Sequence, residues 1–179
     1  MASYGPDAAT CVVLTFREGL LSAVAHDLLL RVTQLEVSVD PVSLAVSARL
    51  DASSLRVVTA MREGRPLPGA LRPVDQEEIE ATIRKVVLRT DRHPEIHFVS
   101  SATVAEQPDG WSVRGQLSIA GVTRDVTLPV RKDANRLVAE LQLHQPDFGI
   151  QPYHAMMGAL RVRPDVVVRA SVPASAGER

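Results

Sequence analysis

The chain has a single cysteine, Cys11, so no internal disulfide can staple it. Within CVVLTF that thiol reads as a small apolar strand residue rather than a reactive group. Charge of one sign is also missing. The 20 Lys and Arg stand against 21 Asp and Glu, so the basic footprint of a nucleic-acid binder is absent. No hydrophobic run is long. The best candidate, GLLSAVAHDLLL from Gly19 to Leu30, is split by His26 and Asp27 and is too short to span a bilayer. The opening MASYGPDAAT has neither a basic region nor an apolar stretch. No secretory signal is therefore expected, and the chain reads as soluble and cytoplasmic.

Catalytic signatures are missing too. There is no Gly-x-Ser-x-Gly elbow and no Gly-rich phosphate loop. His26 and Asp27 are adjacent, so on a strand their side chains face opposite ways. The five histidines, His26, His93, His97, His144 and His154, are scattered. The two in HPEIH fall at a loop-to-strand junction and read as surface or rim groups rather than zinc ligands. No cofactor, no metal and no catalytic residue is expected.

What is present is regular alternation. CVVLTF (Cys11 to Phe16) is a first strand, and LLLRVTQLEVSVD (Leu28 to Asp40) is a long second one. In the second, Leu28, Leu30 and Val32 share one parity and Leu35, Val37 and Val39 the other, which predicts a bulge or sharp coil near Thr33. After the Asp40-Pro41 turn, Val42, Leu44, Val46, Ala48 and Leu50 alternate as a third strand. A Pro- and Gly-rich loop from Met61 to Pro73 leads into a helix over Asp75 to Leu88. Asp75 and Glu78 give that helix a capping-box-like start, and Ile79, Ile83, Val86 and Val87 form one apolar face. Further strands read at PEIHFVSSATV, GWSVRGQLSI, VTRDVTLPV, RLVAELQLH and DVVVRASV, with turns at Pro108-Asp109-Gly110, Ala120-Gly121 and Asp133-Ala134-Asn135. The segment Pro146 to Pro164 is irregular and reads as either a lid or a plug.

The expectation is an all-β fold with one inserted helix: an eight-stranded antiparallel barrel with room for a small ligand. A two-sheet sandwich fits the same pattern. Residues 10–173 read as a single domain with a helical insertion at about 73–90, and 1–9 and 174–179 as flexible tails.

Several stretches together resemble the YceI-like family of lipocalin-like, polyisoprenoid-binding proteins. In GQLSIAGVTRDVTLPV the matching positions are Gly115, Leu117, Gly121, Val122, Thr123, Val126, Leu128 and Val130. HPEIHFVSS, LDASSL (Leu50 to Leu55) and PDFGI (Pro146 to Ile150) are similar to further family elements in the same order, and His26 falls where the family often carries a histidine. The acidic helix replaces an aromatic-rich family element. The resemblance implies an antiparallel barrel around an apolar tunnel that holds an isoprenoid chain, and it is compatible with a homodimer.

The leading reading is therefore a non-enzymatic binder, transporter or store of an amphipathic lipid or polyisoprenoid. The candidate wall residues are Leu14, Phe16, Leu30, Leu44, Val46, Ile96, Phe98, Trp111, Leu117, Leu141, Phe148 and Met157. His26, Arg31, Tyr153 and His154 are the candidate head-group contacts. Two alternatives stay open. One is a hydrolase- or isomerase-like enzyme using the same cavity, marked by a buried histidine beside a carboxylate or serine. The other is a filled barrel that works by dimerisation through its acidic helix.

Overall fold

In the computed structural model the described residues are 1–20, 25–106, 108 and 110–174. Twelve strands form one curled antiparallel sheet. In chain order the first are β1 (Ala2–Tyr4), β2 (Thr10–Thr15), β3 (Arg17–Glu18), β4 (Asp27–Val32), β5 (Leu35–Val39), β6 (Val46–Asp51), β7 (Leu55–Arg62) and β8 (Arg65–Leu67). The helix α1 (Pro73–Thr82) follows. After it come β9 (Glu95–Glu106), β10 (Gly110–Ile119), β11 (Val122–Asp133), β12 (Arg136–His144), β13 (His154–Ala155), β14 (Leu160–Val162) and β15 (Asp165–Pro173). Strands β3, β13 and β14 form a separate small sheet.

The order in the large sheet is β1-β5-β6-β9-β10-β11-β12-β15-β2-β4-β7-β8. Strands β5 and β4 lie near its two ends, yet they are consecutive pieces of one chain segment. Following hydrogen bonds from β5 through β6 and on to β2 therefore returns to β4, and the sheet curls into a barrel. The turning point is the corner at Thr33 and Gln34. Val32 and Leu35, three residues apart, are both buried, which is the phase flip visible in the sequence. The 3₁₀ turn Ala52–Ser54 bends the partner strand pair β6 and β7 at the same place. There the Thr33 N–H and hydroxyl both donate to the Ser54 carbonyl at 3.2 and 2.9 Å. The Gln34 N–H donates to Ser54 Oγ at 3.0 Å, and that hydroxyl donates to the Asp51 carbonyl at 2.8 Å. The Asp51 carboxylate accepts from both the N–H and the hydroxyl of Ser53. The LDASSL motif is thus a bend with its buried polar groups paired.

The hairpin GQLSIAGVTRDVTLPV pairs β10 with β11 from Ile119↔Val122 outward. Its two-residue loop has φ +50 at Ala120 and +80 at Gly121, the left-handed pair that a tight hairpin requires. Gly115 has a different reason to be glycine. A Cβ there would stand 2.4 Å from the Val99 carbonyl oxygen and 2.7 Å from the Phe98 ring, where the β9–β10 register shifts between Arg114 and Gly115.

Helix α1 begins earlier than the sequence reading placed it. Pro73, which has no N–H to satisfy, takes the first turn. Asp75 sits within that turn, where its carboxylate accepts from the Arg72 N–H at 2.9 Å and from the Arg72 guanidinium at 2.7 and 2.9 Å. Those hydrogen bonds, side chain first and then backbone, hold the Asp75 carboxyl down at about 2. The helix continues as a π turn over Ile83–Val87, closed by Leu88 N–H to the Ile83 carbonyl at 2.9 Å. The wider turn rotates Val86 out of the expected apolar face, and it is 64% exposed.

Other departures have local causes. The strand count differs from eight. Strand β7 had no counterpart among the expected strands, and β8 falls within the expected Met61–Pro73 loop, where Gly64, Pro66, Pro68 and Gly69 dominate the composition. The third strand starts at Val46. Leu44 instead takes φ +57 in a loop nucleated by the Asp40 carboxylate, which accepts from the N–H groups of Val42 and Ser43 at 2.9 Å. Residues 1–9, expected as a tail, contribute β1, paired with β5 from Ala2↔Val39, and the fully buried Ala9. At the other end Ala174 is buried and its N–H donates to the Asn135 carbonyl. Asp109 of the expected turn and residues 175–179 lie outside the described residues.

Ser54→Ala removes the hydrogen bonds of the buried Ser54 hydroxyl to the Gln34 N–H and the Asp51 carbonyl and lowers unfolding free energy by about 1–2 kcal/mol, read as a lower urea midpoint. Gly115→Ala forces Phe98 or the β9 backbone to move and costs about 1–3 kcal/mol, also measurable by urea unfolding.

Candidate ligand-binding cavity

The barrel is hollow. Its interior is a cavity of about 670 Å³, and the wall is made by the inward parity of each strand. On β2 this is Cys11, Val13 and Thr15; on β4, Leu28, Leu30 and Val32; on β6, Val46, Ala48 and Leu50; on β12, Leu137, Ala139, Leu141 and Leu143. Small residues on this parity, such as Ala48 and Ala139, leave the axis open. Helix α1 lies over the barrel, and Ile79, Ile83 and Leu88 pack on the core cluster containing Leu30, Val32 and Leu55. A second cluster of Ile119, Leu143, Phe148, Ile150 and Val166 adds a further packed layer.

Three residues that line the cavity are also exposed: Glu78 on α1, Tyr153, and Arg161 on β14. They mark the mouth, with Arg17, His26 and Asp75 lining the same space. Most of the charge at this mouth is already engaged. Asp75 is held by Arg72. The Arg17 guanidinium donates to the Ala25 carbonyl. Arg161 faces Glu18 at 3.9 Å, with both side chains well exposed. His26 differs. Among the described residues its Nδ1 is the only buried side-chain polar atom without a hydrogen-bond partner. A buried orphan of this kind costs free energy unless something in the cavity completes it. Cys11 is the reverse case. Burial pushes its thiol up to about 12, so it serves as an apolar wall residue.

Of the candidate residues, Leu30, Leu44, Val46, Ile96, Phe98, Trp111, Leu117 and Leu141 line the cavity, together with His26 and Tyr153. Leu14 and Phe16 do not. On β2 the inward parity is that of Val13, and since both parities of CVVLTF are largely apolar the sequence pattern could not choose between them. Arg31 is exposed for the same alternation, between Leu30 and Val32, and it reaches the Pro6 carbonyl at 3.5 Å. Phe148 is buried, but in the second cluster, where the Asp-Phe-Gly-Ile turn acts as a plug. His154 and Met157 point to solvent, Met157 fully so. The wall residues missed, such as Val13, Leu28 and Val113, share parity with residues that were chosen or alternate with Leu14. The helix contribution of Ile79, Ile83 and Thr82 had no signal beyond the apolar face itself.

Among the described residues two histidine–carboxylate pairs occur, His97–Glu95 at 2.9 Å and His144–Asp165 at 2.8 Å. All four side chains are more than a third exposed, and none lines the cavity. No group of three or more metal-ligating side chains occurs among the described residues. No helix among them is long and apolar enough to cross a membrane.

Comparison with known proteins agrees with this architecture. No curated protein sequence matches the chain. Among solved structures, BcnA of Burkholderia cenocepacia superposes over 92% of this chain and 94% of its own, at 15% identity and a TM-score of 0.63. A polyisoprenoid binding domain from Saccharophagus degradans, implicated in plant cell wall breakdown, covers 97% and 99% at 12% identity and a TM-score of 0.51. At these identities the likeness is one of fold. The YceI-like domain matches residues 15–174, nearly the whole barrel; the chain belongs to the YceI-like family.

Proposed function

We propose that this protein binds and carries an amphipathic lipid, most specifically an isoprenoid, with its tail in the barrel and its head at the mouth. The observation that carries this reading is the apolar cavity of about 670 Å³. Membership of the YceI-like family and the polyisoprenoid-binding Saccharophagus degradans domain support it. Each methylene moved from water into such a wall gains about 0.8 kcal/mol, so a tail needs no specific polar contact. The volume lies inside the range of roughly 300–1,000 Å³ typical of pockets for drug-sized ligands. A tail longer than that space would emerge at the mouth beside Tyr153 and Arg161.

His26 supplies the polar contact. Its Nδ1 can donate to a carbonyl or hydroxyl oxygen on the ligand head, or accept from a hydroxyl, according to its tautomer. The neighbouring arginines already have partners, which favours a head with one uncharged oxygen over a diphosphate. Binding is favoured over catalysis because, among the described residues, the Nδ1 of the cavity histidine makes no hydrogen bond to a carboxylate, while the histidine–carboxylate pairs His97–Glu95 and His144–Asp165 stand outside the cavity.

Organic extraction of freshly purified protein, followed by mass spectrometry against a buffer blank, should yield a stoichiometric prenyl or acyl species. If the extract is empty and the protein also fails to bind an apolar fluorescent probe, the carrier reading falls. Ala48→Phe projects a ring into the cavity. It should weaken probe binding roughly 10- to 100-fold, since about 2 kcal/mol of methylene burial is displaced, while leaving the fold intact by circular dichroism.

Cys11 should resist a water-soluble disulfide reagent at pH 8 and react once urea unfolds the chain. The linkage has a definite sign. The thiol titrates higher folded than unfolded, so its contribution to stability is whole below about pH 8.5 and is lost as pH climbs toward 12. Alkaline denaturation of Cys11→Ala should show a shallower loss over that window.

A further inference from the structure

His26 is not alone in offering the cavity a spare polar atom. In the sheet order β12, β15, β2 and β4 are consecutive. They run antiparallel, so the end of β12, the start of β15, the end of β2 and the start of β4 share one rim. His26 stands just before β4 and Gln145 just after β12, and both line the cavity. A short chain of contacts ties the two segments together. The Arg17 N–H donates to the Asp27 carboxylate at 2.9 Å, and the Arg17 guanidinium donates to the Ala25 carbonyl, on either side of His26. On the other flank the Arg163 N–H donates to the Phe16 carbonyl at 2.8 Å. The Arg163 carbonyl in turn accepts from Gln145 Nε2 at 3.0 Å.

That last bond fixes what Gln145 has left to give. A carbonyl can only accept, so the amide nitrogen must face Arg163 and the amide oxygen must face elsewhere. Gln145 is only 7% exposed, and no hydrogen bond among the described residues uses that oxygen. The oxygen is not sealed off, because His26 Nδ1 is the one fully enclosed orphan among the described residues. It therefore keeps a small accessible face, and the space that this residue lines is the cavity. An amide oxygen accepts and cannot donate. A ligand that satisfies it must bring a hydrogen to this rim.

Charge narrows the choice of donor. Arg17 and Arg161 line the cavity against Asp75 and Glu78, two cations to two anions, and Asp27 adds a further carboxylate beside Arg17. No net positive field draws a phosphate or carboxylate head. An ammonium head would have to shed its water against an apolar wall. We propose that Gln145 selects a ligand whose head is a free hydroxyl, which donates to the Gln145 amide oxygen and accepts from His26 Nδ1–H. The proposal rests on the carrier reading for the tail and narrows its head to an alcohol. A carbonyl, ether or ester oxygen can take the His26 hydrogen but has none to give, and it sets its lone pairs against those of Gln145. A buried acceptor left unpaired is what lets a polar site reject an analogue that lacks the matching donor.

The test is displacement of the neutral fluorophore N-phenylnaphthylamine from the purified full chain by farnesol and by farnesyl methyl ether, which share one tail. On the wild type farnesol should compete about tenfold more tightly than the ether, or better. Gln145→Leu should bring farnesol down to the level of the ether and leave the ether and the fluorophore unchanged. His26→Leu should weaken both competitors, because both oxygens accept. A Gln145 that served only the fold would instead lower the alcohol, the ether and the fluorophore together. The assignment is overturned if the wild type takes alcohol and ether equally, or if Gln145→Leu weakens the two by the same factor. Equal competition leaves the carrier reading standing and removes the hydroxyl alone. If the fluorophore binds and neither competitor displaces it, the isoprenoid reading fails and takes the assignment with it.

Discussion

The corner at Thr33 and Gln34 is the constraint from which the rest of the architecture follows. A strand that bends in the wall of a barrel must break its ladder, and the freed backbone groups need other partners. Here one serine meets nearly the whole demand. Its carbonyl accepts twice from Thr33, and its hydroxyl accepts from Gln34 while donating to Asp51. Because the bent segment belongs to both ends of the sheet, the same few hydrogen bonds decide whether the sheet curls back on itself or remains an open ribbon. The cavity exists only in the first case.

A hollow barrel asks its wall to be apolar without being filled, and two kinds of residue reconcile these demands. Alanines at inward positions keep the axis clear, while Leu, Val and Phe on neighbouring strands pack against one another sideways. Packing that would ordinarily sit at the centre of a small domain is displaced to its ends. One cluster gathers under α1, and the other gathers around the Asp-Phe-Gly-Ile turn. Helix α1 thus covers the barrel with an apolar underside. Two of its acids, Asp75 and Glu78, are turned to the rim, where Arg72 neutralises Asp75.

Much of this was legible in the sequence, and the places where it was not have physical causes. The long strands with one polar parity, β10, β12 and β15, were found within a residue of their ends, because alternation has only one reading when one face meets water. The bend at Thr33 announced itself as a change of phase. Strand β2 was legible as a strand but not in its orientation, since Leu14 and Val13 are equally suited to burial. Strand β8 was hidden by prolines and glycines that usually break strands and here sit at its edge and turn. The mouth was half legible. Tyr153 and His26 were marked by their chemistry, whereas Glu78 and Arg161 are ordinary surface residues whose place at the rim depends on how a helix and a small three-stranded sheet come together.

A cavity of this size has a mechanical meaning. A void inside a folded protein is space that water reclaims when the chain unfolds, so hydrostatic compression favours the unfolded state in proportion to it. A barrel whose cavity of about 670 Å³ held neither water nor ligand would be soft in this sense. The same barrel with a hydrocarbon chain along its axis has little void left to surrender. Cargo would then act as the missing core, and the loaded and unloaded forms of one fold would differ in compressibility more than in shape.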